Sequence, residues 1–160
     1  MIMKKTVYLD TTIPSYYYDD RKETAFLREK TRSWFKTEAR VYRIVVSEAT
    51  LVEAQGGDYT GKEKVVEFIG RWPALRYDPI LDQIVATYID NCLMPAEYGG
   101  DALHLAYASY YKIDFLMTWN CDHLANANKR QHIRVINTRM GLHIPELVTP
   151  LELVKEVGSQ

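Results

Sequence analysis

A chain of 160 residues that is 47% hydrophobic and 26% charged suits one domain with a sizeable core, expected to span residues 1–160. Nothing in it approaches the ~20 apolar residues of a membrane helix, no signal-peptide pattern opens it, and so no membrane partner is expected. The net charge of −1 gives no overall pull on a polyanion, and isolated Cys92 and Cys121, without C-x-x-C or zinc spacing, fit a reduced, cytoplasmic setting.

Thr6–Asp10 reads as a first strand that ends in an acid and opens straight into Thr11-Thr12-Ile13-Pro14. Such an acid is costly to bury, and no basic neighbour stands in the turn. Tyr16-Tyr17-Tyr18 follow, read as packing or interface residues ahead of base-stacking ones. Thr24–Glu38 has helical character. Residues 21–43 hold eight Lys and Arg against three acids, and residues 123–143 hold four with no acid. Residues 78–101 reverse the sign, with no Lys or Arg. Each basic stretch is either a solvated helix face or a polyanion footprint.

Val41–Val46, rich in β-branched residues, predicts a second strand. Ser47 is a good N-cap for a helix through Leu51 and Glu53, stopped by Gly56-Gly57. In that helix Glu48 suits the first-turn dipole, leaving Glu53 as the acid for a site. Gly61–Arg71 is another helix, and Leu75–Tyr77 a short third strand. Leu81, Ile84, Val85, Tyr88 and Ile89 recur at helical spacing. After Gly99-Gly100, a helix runs from Asp101 to about Tyr111. Asp114–Thr118 is a fourth strand, followed by a polar turn and a helix to about Lys129. Arg134–Asn137 reads as a fifth strand, and Pro150 as the start of a helix at Leu151–Glu156.

Strands separated by helices predict an α/β three-layer sandwich with a parallel sheet of four to five strands, and the order expected of it is 3-2-1-4-5. In such a sheet ligands bind at the strand C-termini. Asp10, Glu53, Asp101 and Asp122 all fall near that end. Converging carboxylates repel, so some must protonate or a cation must hold them. A divalent metal, and through it phosphoryl chemistry, is the consequence. Taken singly, Asp101 and Asp122 are also possible helix caps and Asn120 a turn residue. His104 and His123 lack a second histidine at ligand spacing and read as structural; Trp119 reads as packing behind the site.

The succession Leu9-Asp10-Thr11, then Ser47, Thr50 and Glu53, then Asp101-Ala102-Leu103-His104-Leu105-Ala106, then Thr118-Trp119-Asn120-Cys121-Asp122 resembles the PIN-domain nucleases. It is most similar to the VapC-type toxins of type II toxin–antitoxin pairs, over about residues 4 to 140. The resemblance implies a PIN-like fold, a Mg²⁺- or Mn²⁺-dependent endoribonuclease acting on RNA, a cognate antitoxin and a homodimer. Asp10, Glu53 and Asp101 match the family's metal-binding acids, and Thr11 would hydrogen-bond a carboxylate or a metal-bound water. The fourth motif departs from the family's Thr-x-Asp: Asn120 takes the Asp position, and Asp122 lies two residues on. Either residue fills the fourth place.

Two other readings stand beside this one. A degenerate PIN domain would bind RNA or a partner without cutting. An aspartyl-phosphate phosphatase would also place an Asp after the first strand, but it wants a second Asp where Thr12 stands, and a Lys near its second motif. The lack of G-x-G-x-x-G or a P-loop speaks against a nucleotide-binding Rossmann protein.

Overall fold

A computed structural model of the chain describes residues 3–96, 99–122 and 124–155. Five strands, β1 (Thr6–Leu9), β2 (Arg43–Ser47), β3 (Ala74–Leu75), β4 (Phe115–Met117) and β5 (Glu146–Val148), form one sheet in the order β3-β2-β1-β4-β5. Every pairing is parallel, with Val7 opposite Ile44 on one side and Phe115 on the other. The helices are α1 (Thr12–Tyr17), α2 (Ala25–Thr37), α3 (Glu48–Gln55), α4 (Lys62–Ile69), α5 (Ile80–Asp90), α6 (Gly99–Tyr110) and α7 (Ala127–Met140).

Strand alternation divides the core into two layers. Val7, Leu9, Ile44, Val46, Met117 and Val148 point to one face, where Trp34 of α2 and Val65, Phe68 and Ile69 of α4 cover them. Tyr8, Val45, Leu116 and Leu147 point to the other, against Leu81, Ile84 and Tyr88 of α5, Leu105 of α6 and Ile133 and Ile136 of α7. Helices on both faces of a parallel sheet make the α/β three-layer sandwich that the strand–helix alternation predicts. Central β1 is enclosed on both sides, with Val7, Tyr8 and Leu9 at 0% exposure. Each such side chain contributes about 1.5–3 kcal/mol by burial. Among the described residues no helix is long and apolar enough to cross a membrane.

The expected sheet order holds, but its last strand is a different segment. Arg134–Asn137 lies inside α7, where Ile133, Ile136 and Asn137 share the buried face. The helix starts at Asn126, whose side chain accepts from Lys129 N, and ends at Gly141 with φ +68°. The bond from Leu142 N to Asn137 O closes that end in a Schellman pattern. The helix expected to finish near Lys129 in fact begins beside it, and β5 comes later, at Glu146–Val148. Beyond Pro150 the described chain makes a turn, not a helix: Glu152 N and Leu153 N both donate to Thr149 O. The expected end of that helix, Glu156, lies outside the described residues, as does His123. The short α1 was not foreseen; Pro14 falls in its first turn, where a missing N–H costs nothing.

Candidate metal centre

The sheet order sets β1 between β2 and β4, so Asp10, Ser47 and Thr118 leave the same edge of the sheet side by side. Asp10 N donates to Met117 O, extending the β1–β4 ladder to the acid itself. The Asp10 side chain is only 2% exposed. Its Oδ1 accepts from Thr12 N at 3.0 Å and Thr12 Oγ1 at 2.5 Å, and its Oδ2 accepts from Thr118 Oγ1. Trp119 N donates in turn to Thr12 Oγ1, and Asn120 N to Thr118 Oγ1. Two threonines thereby bind the acid to both loops that flank it.

Burial pushes the Asp10 carboxyl above its usual range, and Asp101 adds repulsion; His104 and the two threonine hydroxyls oppose this without cancelling it. Asp101 lies in the first turn of α6, where the helix dipole favours an acid. Its Oδ2 accepts from Asn120 Nδ2 at 2.8 Å. Asn120 therefore reaches the acid cluster. Asp122 is exposed in the turn, with its backbone carbonyl tied to Asn126 Nδ2. It does not cap the following helix, since Asn126 does so.

Glu53 is presented by α3, whose start is set by a capping box between Ser47 and Thr50, as the sequence leads one to expect. The glutamate side chain is 42% exposed, and its Oε1 stands 2.5 Å from His104 Nε2. The ring N–H is not well aligned on that oxygen, and the contact becomes an ion pair when the imidazole is protonated. A Cβ added at Gly100 would meet the Glu53 carboxylate at 3.5–3.6 Å, which places that carboxylate over the first turn of α6. Burial works against the charged form of Glu53, but His104 first and Thr11 second outweigh it and lower its pKa. For His104, burial likewise disfavours charge, and Glu53, Asp10 and Asp101 together raise its pKa. Glu48 turns elsewhere, accepting from Tyr77 N at 3.1 Å on the surface.

His104 belongs to this cluster rather than to the plain core that its lone occurrence suggests. The available signal is its spacing, three residues after Asp101 and so on the same side of α6. Tyr17 and Tyr18 pack with Phe68, and Tyr17 also with Phe35, as the packing reading requires. Trp119 lies against the α2–α4 side of the core, its indole N–H on Thr31 Oγ1 at 2.8 Å.

The donor chemistry fits a hard divalent cation. Asp10, Asp101 and Glu53 offer only oxygens, and the buried Thr11 hydroxyl lacks a well-aligned partner among the described residues. Mg²⁺ needs only one or two carboxylates when water and phosphate complete its shell. Asp10 and Asp101 suit that role; Glu53, drawn to His104, suits contact through water. Among the described residues, no three His, Cys, Asp or Glu side chains gather into a ready-made cage. No protein-family model matches the chain, and no curated protein matches it either.

Proposed function

We propose that this chain is a metal-dependent endoribonuclease of the PIN-domain kind, the toxin of a type II toxin–antitoxin pair. The observation that carries the reading is Asp10, a buried acid at the central strand end, wired to the neighbouring loop and electrostatically coupled to Asp101. A protein retains so costly a carboxylate where its charge serves a site. A bound Mg²⁺ or Mn²⁺ would supply Lewis acidity and an activated water for phosphodiester hydrolysis. Asp10 and Asp101 would hold it. Glu53 would orient water at its edge, and Thr12 and Thr118 would fix the Asp10 carboxylate at the strand end. Thr12 itself speaks against the phosphatase alternative, since its hydroxyl occupies Asp10 Oδ1 where that chemistry wants a second acid. The motif succession also implies a cognate antitoxin, an RNA substrate and a homodimer, and the isolated cysteines fit a reduced, cytoplasmic setting; a monomer at all concentrations in light scattering would remove the dimer.

One observation favours a second reading, a PIN-like module that binds RNA or a partner without cutting. Asn120 stands where the family has an acid, beside Asp101, and Glu53 is already engaged by His104. Purified wild-type protein incubated with RNA and Mg²⁺ or Mn²⁺ separates the two. We expect cleavage that EDTA abolishes, lost in Asp10→Asn and Asp101→Asn but nearly intact in Glu48→Gln. Undiminished cleavage by Asp10→Asn would defeat the metal-nuclease reading.

A further inference from the structure

The imidazole of His104 is 2% exposed and has a close partner at each nitrogen. Nδ1 lies 2.6 Å from Tyr8 Oη and Nε2 lies 2.5 Å from Glu53 Oε1. The Tyr8 ring meets the imidazole edge-on, with centroids 5.6 Å apart. Tyr8 Oη is in turn 2.6 Å from Ser47 Oγ and 3.3 Å from Thr50 Oγ1. Those two residues form the capping box at the start of α3, the helix that carries Glu53. The contacts therefore close a circuit, from β1 through α6 to Glu53 and back through the α3 cap to β1. We propose that His104 is the positioning residue of Glu53, fixing its carboxylate over the first turn of α6 while Tyr8, Ser47 and Thr50 fix the imidazole.

The physical need is specific. A glutamate on a half-open helix has three side-chain torsions, and ordering them costs entropy that a water-facing carboxylate does not recover. A buried imidazole held at its far nitrogen supplies a partner of fixed position. Tyr8 meets the same demand from the other side. Its hydroxyl is enclosed at 0% exposure and has to be hydrogen-bonded there. His104 and Ser47 both satisfy it, so imidazole and cap are held through one atom. A histidine serving packing alone has no need of a carboxylate at its outer nitrogen.

The inference rests on the nuclease reading, and its test keeps the two failures apart. The variants are His104→Asn, His104→Gln, Tyr8→Phe, Glu53→Gln and the double variant Glu53→Gln/His104→Asn, all in the full chain with folding checked by circular dichroism. Glutamine places an amide where Nε2 stands, and asparagine places one where Nδ1 stands. His104→Asn should lower kcat for RNA cleavage about 10–100-fold, as loss of a supporting residue does at metal sites, with KM nearly unchanged. His104→Gln should lose less. Glu53→Gln/His104→Asn should be no slower than Glu53→Gln alone, because residues acting through one another are non-additive. Mn²⁺ affinity, read by electron paramagnetic resonance, should follow the same order. Additive losses, or a change confined to KM, would overturn the proposal. Should a His104 variant fail to fold, Tyr8→Phe, which removes one hydroxyl, must reproduce the kcat loss or the proposal falls. Should the wild type neither cleave RNA nor bind Mn²⁺, the nuclease reading fails by itself. Melting in EDTA then decides the positioning role: non-additive losses for Glu53→Gln and His104→Asn uphold the coupling, and additive ones overturn it.

Discussion

Burying the Asp10 carboxylate beside Asp101 runs against both solvation and charge, and the hydroxyls of Thr12 and Thr118 with His104 offset only part of that cost. The folded-state pKa of Asp10 is therefore above its ordinary 3.8. An acid shifted upward binds its proton more tightly in the folded chain, so its ionisation removes stability as pH rises from the unfolded value through the folded one. The penalty grows as pH rises above 3.8 until the folded-state carboxyl has itself ionised. Asp10→Asn keeps the shape and an acceptor for Thr12 while removing the charge. In metal-free buffer at pH 7 we expect Asp10→Asn to melt higher than the wild type, by about 2–4 °C for each kcal/mol relieved. The gap should shrink toward zero as pH falls below the ordinary value of 3.8. Thermal melts across pH in EDTA check this, and a variant that melts lower at every pH would show the hydroxyl bonds outweighing the penalty. Metal should invert the ranking, since only the wild type gains from binding it.

At the scale of elements, α7 shows where strand and helix signals conflict. Val135-Ile136 are β-branched and read locally as strand, yet the burial of Ile133, Ile136 and Asn137 follows the helical period. Tertiary contact decides the outcome: Asn137 Oδ1 accepts from buried Tyr88 Oη at 2.7 Å, and Asn137 Nδ2 donates to Ser109 Oγ at 2.9 Å. Gly141 ends the helix at φ +68°, and a Cβ there would meet nothing within 4 Å. Gly141→Ala thus tests backbone conformation without steric crowding. A left-handed alanine costs about 1–2 kcal/mol, so the melting temperature should fall by about 2–8 °C. An unchanged melting temperature would mean the helix end readily re-forms without that conformation. The same contrast explains what could be read beforehand. The strand–helix alternation and the Ser47 cap follow from local pattern, since each signal lies within a few residues. β5 is three residues long and is placed by pairing with β4, which no local pattern announces. His104 escaped for a related reason: its partner Tyr8 lies 96 positions away, and its spacing from Asp101 marks a shared side of α6 but not that contact.

Across the whole molecule, a net charge of −1 conceals basic stretches, and the structure divides their residues into two sets. Arg21 pairs with Asp19, Arg28 bonds the carbonyls of Asp19 and Arg21, and Arg32 lies over Tyr17. Arg130 pairs with Glu152, and Lys129 donates to Leu93 O. These cations brace the fold and are partly spent on it. Lys22, Lys30, Lys36, Arg40 and Arg43 in the first stretch, and Arg134 and Arg139 in the second, lie exposed on the surface. On the nuclease reading, the exposed set is what an RNA backbone would meet. Each phosphate neutralised on a single strand releases counterions and makes log K fall by about 0.7 per unit of log salt. Three or four contacts predict a slope of about −2 to −3. Fluorescence anisotropy with Asp10→Asn, which should leave the RNA uncut, measures that slope directly. Replacing Lys36 and Arg40 with Gln should flatten it if the first stretch carries the footprint, and replacing Arg134 and Arg139 should do so if the second does. A slope near zero for the unsubstituted surface would return both stretches to solvated faces and leave RNA recognition to the acid site alone.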